Sequence, residues 1–283
     1  MLPRGVASLK AQFELERQLR KRILESRKEE RLSVTAAAYA ELFDRFPEHG
    51  ALEADQAERS HRGQFGAGMV LPLTHPGDSV LEVGCGAGDV LFELAKQGRR
   101  CIGIEASEHM VGRCNGKPGV HIVLGSADRL DFPDSSFDLV FSQQVIEHLH
   151  PEDLPGHFFE CYRVLRPGGT LSVETPNCHT GPQDVSRGFV RVAEGLHLRE
   201  WSVRELMQLF RQAGLVRIRG LLAPQFLARR SALVHRLTRV PALVKSAEDA
   251  VLSIIPTLVL RTLLGKALGL DDIFLFGSKP ATE

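Results

Sequence analysis

The chain has 283 residues, 43% of them hydrophobic and 25% charged, which is enough apolar material for a folded core and excludes an intrinsically disordered protein. Its 35 basic and 35 acidic residues balance, which excludes a molecule-wide attraction to nucleic acid or to acidic lipid. The five cysteines include no CxxC pair, so we expect reduced core residues in a cytoplasmic protein.

Two helices are predicted at the N-terminus. Apolar residues recur at helical spacing over residues 9–31, and a second helical pattern covers 35–46. We interpret residues 1–60 as a helical extension that braces the main domain, with the alternative that the second helix covers a ligand. Charged residues follow Met1 too closely for the apolar core of a signal peptide, so no secretory leader is expected.

Short apolar runs separated by helical or turn segments begin after Gly77. Seven of them are predicted to be strands, at residues 79–84, 101–105, 121–125, 137–142, 169–176, 216–222 and 271–280. Because helical segments alternate with the first strands, the pattern predicts a parallel sheet with helices on both faces. A helix after the fifth strand is predicted to follow Ser202 as its N-cap and to end at Gly214.

Residues 221–270 interrupt this pattern with an apolar, basic insert that is predicted to be helical. Seven lysines or arginines against two acids give it a net charge of +5. Its longest uncharged apolar run, 250–260, is too short to span a bilayer. We interpret the insert as a lid, a dimer contact or a peripheral membrane contact, or else as extra core on the sheet edge. The main domain is then 61–220 together with 271–283.

The sequence VLEVGCGAGDV places three glycines directly after the first predicted strand. Gly84, Gly86 and Gly88 lie where a parallel sheet binds ligands, outside the carboxyl end of a strand. The spacing does not fit the GxGxxG dinucleotide fingerprint, and no Gly-Lys-Ser or Gly-Lys-Thr of a phosphate loop is present. The loop, preceded by Glu82, therefore suits a ligand that has no phosphate and carries a cationic amine.

A second acid, Glu105, ends the second predicted strand. A carboxylate at that position can accept hydrogen bonds from both hydroxyls of a ribose. The glycine loop and Glu105 follow one another in the order strand, loop, helix, strand. Together they predict a nucleoside-containing ligand.

The chain resembles the class I S-adenosylmethionine-dependent methyltransferases. Four segments carry the resemblance: VLEVGCGAG, GIEAS, FPDSSFDLVFSQQVIEHL and VLRPGGTLSVETPN. The resemblance implies an α/β, Rossmann-like sheet of seven strands in the order 3-2-1-4-5-7-6, with the last strand antiparallel. It also implies S-adenosylmethionine as cofactor, with S-adenosylhomocysteine as product. The implied cofactor-binding residues are Glu82, Gly84, Gly86, Gly88, Glu105, Ala106, Ser126, Ala127, Asp128 and Gln143. Ser126 departs from the acid that many relatives carry before the alanine, and Asp128 is the substitute that the sequence offers.

Methyl transfer requires an aligned acceptor and, for a hydroxyl, a group that removes its proton. Glu147, His148 and the later His197 are the candidate catalytic residues. Their spacing resembles that of ubiquinone-pathway O-methyltransferases and of small-RNA 2'-O-methyltransferases, which hold a divalent metal with a Glu-x-x-Glu-His run and a later histidine. Gln144 replaces the first acid, so no metal is expected; the residues that would hold one are Gln144, Glu147, His148 and His197.

A purely structural alternative is that Glu147 and His148 open a helix and satisfy loop backbone. His150 and His157 carry no comparable pattern and are expected at the surface.

The sequence predicts an enzyme of biosynthesis that O-methylates a hydroxyl of a small molecule, such as a secondary metabolite, a quinone precursor or a glycan unit. The alternatives are N- or C-methylation of a small or lipid-like acceptor, and a non-catalytic regulator that binds S-adenosylmethionine. No nucleic-acid partner is expected, because only one tryptophan and two tyrosines are available for base stacking. The chain is expected to act as a monomer or a homodimer.

Overall fold

The computed structural model describes residues 6–47, 56–112, 118–221, 239–268 and 270–281. The strands are β1 (Ser79–Val83), β2 (Arg100–Glu105), β3 (Val120–Leu124), β4 (Phe137–Gln143), β5 (Leu165–Pro176), β6 (Val216–Leu221), β7 (Arg239–Pro241) and β8 (Asp272–Ser278). The helices are α1 (Val6–Leu24), α2 (Arg31–Arg45), α3 (Gln56–Val70), α4 (Asp89–Ala95), α5 (Glu108–Gly112), α6 (Leu154–Val164), α7 (Val203–Gln212), α8 (Ala242–Lys245), α9 (Ala247–Ile254) and α10 (Leu258–Leu268). Short 3-10 turns cover Lys28–Glu30, Leu71–Leu73 and Val185–Gly188.

All eight strands form one sheet in the order β3-β2-β1-β4-β5-β8-β6-β7. Strands β3, β2, β1, β4 and β5 pair in parallel, and β8 runs antiparallel between β5 and β6. This arrangement confirms the predicted α/β sheet and its reversed last strand. The predicted count of seven strands was short by one, because β7 adds an edge strand from within the insert.

Successive residues of the central strands face opposite sides of the sheet, as strand geometry requires. Leu81 and Val140 face a core formed with α6 and α7, whereas Val80 and Leu139 face a second core formed with α3 and α4. Both faces of the sheet are therefore covered, and the carboxyl ends of the parallel strands are left as the edge at which a ligand can enter.

The N-terminal extension consists of α1 and α2 packed against each other and against Leu196 and Leu198. The prediction of one helix over 9–31 was too long, since α1 ends at Leu24. The Ser26 hydroxyl donates to the carbonyl of Ile23 at 2.6 Å, an interaction that competes with the next helical turn. The second predicted helix is confirmed as α2.

Helix α3 was not predicted, because its three glycines weaken the helical pattern of the sequence. The same glycines let α3 pack closely on α4. A Cβ on Gly63 would lie 2.5 Å from the carbonyl oxygen of Asp89, and one on Gly66 would lie 2.6 Å from Val90 Cγ2. Arg59 adds two hydrogen bonds to the Asp89 carboxylate, at 3.0 and 3.2 Å.

The described part of the insert, from β7 through α10, is anchored on α7. The carboxylate of Asp249 accepts from the backbone amides of Val203 and Arg204, which open α7 and have no partner within the helix. Lys245 and Glu248 form a buried ion pair at 2.6 Å beside this contact. Residues 222–238 of the predicted insert lie outside the described part. No helix within the described ranges is both long and apolar enough to cross a membrane.

Candidate functional site

The loop between β1 and α4 adopts backbone conformations that favour glycine. Gly84, Gly86 and Gly88 have φ values of +74°, +53° and +70°. A Cβ on Gly84 would also lie 2.4 Å from Cγ2 of Val145, whereas one on Gly86 would meet only Met110 Cε, at 3.5 Å. Gly84 is thus required by packing, whereas the space beside Gly86 is open apart from Met110.

Glu105, the last residue of β2, lies directly beside this loop. One carboxylate oxygen accepts from the amide of Gly86 and the other from the amide of Ser107, both at 2.9 Å. Ala106, which lies between Glu105 and Ser107 in the chain, is half-buried. Glu82 is buried near the end of β1. The structure therefore brings together the acids and glycines that the sequence predicted as cofactor-binding residues at this end of the sheet.

Residues 126–128 follow β3 at the same edge. The hydroxyl of Ser126 donates to the carboxylate of Asp128, so the two predicted polar groups act as one unit. The Ala127 carbonyl accepts from Nδ1 of His157 at 2.9 Å.

His157 was expected at the surface, which was wrong. It is completely buried on α6, where burial lowers its pKa and keeps the imidazole neutral. The side chain of His150 is only 8% exposed, so its surface prediction was wrong as well.

The two glutamines after β4 point to different neighbours. Gln143 donates to Glu174 at 2.8 Å and to the Gly66 carbonyl at 3.3 Å, which links β4 to β5 and α3. Gln144 has a φ of +56° and donates to Asp272 at 3.1 Å. Gln144 is exposed there, apart from the other three candidate metal ligands.

Glu147, His148 and His197 converge, with one ligand atom from each lying within 4.8 Å of the others. Glu147 is completely buried, and its Oε2 accepts from the Thr175 hydroxyl at 2.9 Å. Its Oε1 lies 3.9 Å from Nε2 of His148 and has no hydrogen-bond partner in the described part of the chain. The two imidazole rings meet edge to face with centroids 4.9 Å apart.

Both imidazoles are oriented by a partner on Nδ1. His148 lies 2.9 Å from the carbonyl of Leu196 and 3.0 Å from the hydroxyl of Tyr39. His197 lies 2.9 Å from Oε1 of Glu200. Such contacts fix the orientation and the tautomer of each ring.

Burial dominates the electrostatics of this cluster. It raises the pKa of Glu147 to about 7, against the smaller lowering effect of His197. Burial lowers the pKa of His197, but the hydrogen bond to Glu200 and the charge of Glu147 outweigh it, so the net change is upward. On α1, burial raises the pKa of Glu16, which accepts from the amide of Leu196 at 3.1 Å.

Sequence reasoning missed the supporting residues Glu16, Tyr39 and Glu200. Glu16 and Tyr39 come from the N-terminal extension, more than one hundred residues from Glu147 along the chain. The alternative that the second helix covers a ligand was the one sequence signal that pointed to Tyr39. Glu200 also accepts from the amide of Gln183 at 2.6 Å, and so ties the long segment after β5 to His197.

The cluster can serve as a proton acceptor or as a set of metal ligands. A partly exposed imidazole beside a buried carboxylate can take a proton from a bound hydroxyl. The same three residues can hold a divalent cation, with Leu196, Tyr39 and Glu200 supporting the histidines from behind. With Gln144 turned away, Glu147 is the one carboxylate among the three described ligands, which is few for a hard cation such as Mg²⁺.

Comparison with known proteins concerns the sheet that carries this site. Residues 81–173, which span β1 to β5, match the family model described as a methyltransferase domain. This segment is therefore assigned to a methyltransferase domain. The fold is shared with a solved S-adenosylmethionine-dependent methyltransferase from Thermotoga maritima, at a TM-score of 0.51 and 22% identity, covering 84% of this chain and 97% of that one.

Two curated proteins are similar in sequence to about half of this chain. A protein of Mycolicibacterium smegmatis described as a "probable S-adenosylmethionine-dependent methyltransferase" is 40% identical over 49% of this chain and 52% of its own length. The malonyl-[acyl-carrier protein] O-methyltransferase of Serratia marcescens is 29% identical over 50% of this chain and 51% of its own. The chain thus spans about half the length of these relatives.

Proposed function

We propose that this protein is an S-adenosylmethionine-dependent methyltransferase that acts on a hydroxyl of a small molecule. The proposal rests on where the candidate residues lie in the sheet. The glycine loop after β1, Glu105 at the end of β2 and Glu147 after β4 all lie at the carboxyl edge of the parallel strands. A cofactor site and a proton-accepting cluster therefore share one edge of the sheet.

The residues at the end of β1 and β2 fit S-adenosylmethionine. Gly86 leaves room for the cofactor to approach the backbone, and the Glu105 carboxylate is fixed in place to accept from ribose hydroxyls. Ser126 and Asp128 are the polar groups available to the adenine. When bound, the cofactor supplies an electrophilic methyl group on its sulfonium centre.

His148 is proposed to remove the proton of the acceptor, with the buried Glu147 beside it to stabilise the imidazolium that forms. A neutral hydroxyl is a weak nucleophile, and it attacks the methyl group faster as its proton passes to a neighbouring base. Among the described residues, Oε1 of Glu147 has no hydrogen-bond partner; it lies 3.9 Å from Nε2 of His148, and the carboxyl is fully buried. Tyr39 and Glu200 hold the histidines in orientation. A site that contains a base favours O-methylation, because a hydroxyl must lose its proton. An amine that is already neutral can attack the methyl group without that help, and methylation at carbon is the less favoured alternative.

The cofactor half is tested by calorimetric titration with S-adenosylhomocysteine. We expect Glu105→Ala to weaken binding by at least about ten-fold, because it removes the acceptor for the ribose and for the Gly86 amide. Glu108→Ala is the matched control, since Glu108 is an exposed acid three residues away and should leave binding unchanged. Absence of binding to the unmodified protein would refute the assignment.

The acceptor half is tested with radiolabelled S-adenosylmethionine and a panel of phenols, catechols and hydroxy acids, with product mapping to identify the methylated atom. Activity should rise with pH through about 7 as Glu147 ionises, and Glu147→Gln should abolish the rise. Assays with EDTA and with added Mg²⁺ separate base from metal catalysis. Binding without turnover across the panel would favour a regulator, and methylated nitrogen or carbon would favour the alternative chemistries.

A further inference from the structure

A cavity of about 700 Å³ lies at the amino edge of the parallel strands. Its lining includes the first residue of four strands: Ser79 of β1, Arg100 of β2, Val120 of β3 and Phe137 of β4. Pockets that hold small organic molecules have volumes of about 300–1,000 Å³. Glu105, the predicted ribose acceptor, ends β2 at the opposite edge, five residues and about 17 Å from Arg100. The cavity is therefore separate from the candidate cofactor site.

One side of the cavity is apolar. Ile102 follows Arg100 by two residues on β2 and pairs with His121 of β3, so these three side chains lie on the same face of the sheet. On that face, Ile102 and Phe132 pack against the core cluster that contains Phe137. The rings of Phe132 and Phe137 meet edge to face, with centroids 5.1 Å apart. Ile102, Phe132 and Phe137 all line the cavity, and they suit the hydrocarbon or aromatic part of a ligand.

The charged side chains that line the cavity are basic. Arg100 and His121 are exposed, and neither side chain has a hydrogen bond or an ion pair within the described part of the protein. Arg99 donates to the carbonyls of Gln97 and Thr74, so its position is fixed and no acid neutralises its charge. No acid is found among the described lining residues.

The acids that adjoin the lining residues in sequence do not pair with Arg100. Asp78, Asp134 and Asp138 accept hydrogen bonds from other groups of the protein. Asp131 is exposed and is not among the lining residues. The guanidinium group of Arg100 is therefore available to an anion that enters the cavity.

We propose that this cavity binds a small organic anion, whose charged group pairs with Arg100 and whose apolar part covers Phe132 and Phe137. The planar guanidinium group offers two parallel donors that match a carboxylate or a phosphate. His121 can donate a further hydrogen bond to an anion. A neutral apolar ligand would leave Arg100 unpaired, and an inorganic anion would leave the apolar side of the cavity uncovered. Binding here does not depend on the proposed function, because the candidate cofactor and acceptor residues lie at the other edge of the sheet.

The proposal is tested by titrating the full chain with phenyl phosphate and with benzoate, while its backbone amides are followed by NMR. We expect saturable shifts at Arg100, Ile102 and His121, with the amides of Gly86 and Glu105 unchanged. The stronger binder of the two compounds identifies the anionic group as phosphate or carboxylate. Inorganic phosphate and phenol each carry one half of the predicted ligand, so they should bind at least about five-fold more weakly.

Two substitutions of Arg100 test the ion pair. Arg100→Gln should weaken binding of the stronger compound at least about five-fold, and Arg100→Lys should weaken it less, because lysine keeps the charge and loses the planar pair of donors. Arg211→Gln is the matched control, since Arg211 is an exposed arginine on α7 that is not among the lining residues. It should leave binding unchanged.

Three outcomes would overturn the proposal. The first is the absence of amide shifts with either compound at concentrations up to about 10 mM. The second is a set of shifts confined to Gly86 and Glu105, which would place binding at the cofactor edge. The third is an equal loss in Arg100→Gln and Arg211→Gln, which would indicate general charge attraction. Titration of the same samples with S-adenosylhomocysteine reports on the proposed function, so the two failures are distinguishable.

Discussion

Replacing Glu147 by glutamine is expected to remove a pH-dependent loss of stability. Burial raises the Glu147 pKa to about 7 in the folded protein, against an ordinary value of 4.5. The folded state therefore holds its proton more tightly than the unfolded state, and stability falls as pH rises from 4.5 to about 7. At about 1.4 kcal/mol for each pH unit, the loss is about 3 kcal/mol. Glutamine has the shape of the neutral acid and does not ionise.

Urea denaturation of the protein and of Glu147→Gln, from pH 4.5 to 8.5 in EDTA, measures this effect. As pH rises, the free energy of unfolding of Glu147→Gln should gain about 3 kcal/mol relative to that of the unmodified protein. This gain corresponds to roughly 5–10 °C in melting temperature. Glu152→Gln is the control of opposite sign, since the hydrogen bond from Arg31 lowers the Glu152 pKa and its contribution fades as pH falls. Parallel curves for the protein and Glu147→Gln would refute the reasoning.

Three further variants probe the packing around the site. Gly84→Ala should lower the free energy of unfolding, measured in urea, by about 2 kcal/mol, because position 84 has a positive φ and a Cβ there would overlap Val145. The double variant Gly84→Ala/Val145→Ala should recover part of this loss. If it recovers none, the packing explanation is wrong. Asp249→Ala should lower the free energy of unfolding by about 1–2 kcal/mol, because the first two amides of α7 lose their carboxylate acceptor. Asp249→Asn should cost less, and equal costs would exclude this explanation. Tyr39→Phe should slow methyl transfer about ten-fold without changing S-adenosylhomocysteine affinity, because the hydroxyl no longer orients His148; an unchanged rate would leave Tyr39 a packing residue.

Features set by neighbouring residues were predictable from the sequence. Apolar runs mark the strands, and all seven predicted strands are present, although β5 begins at Leu165, four residues before the predicted start. The N-cap of α7 was also correct, because Ser202 and Glu205 form a capping box within four residues. The glycine loop and Glu105 come together because adjacent parallel strands end at the same edge of the sheet. Each of these features depends only on contacts between residues close in sequence or on the pairing of neighbouring strands.

Features that depend on contacts between distant segments were not predictable. The glycines of α3 weaken its helical pattern in the sequence, and only the close approach to α4 explains their presence. His157 can be buried because the carbonyl of Ala127, thirty positions away, accepts a hydrogen bond from its ring. The short strand β7 exists because β6 offers it a free edge. In each case the deciding partner belongs to another element, so no local pattern records it.

The division is sharpest at the site itself. The sequence by itself determined the candidate residues Glu147, His148 and His197 and the strand after which the first two follow. Only the tertiary structure decided that all three converge, that Gln144 turns away to Asp272, and that Glu147 is fully buried. The physical reason is that burial and orientation depend on every element packed around a side chain, including helices at the far end of the chain, whereas residue type and spacing are local properties.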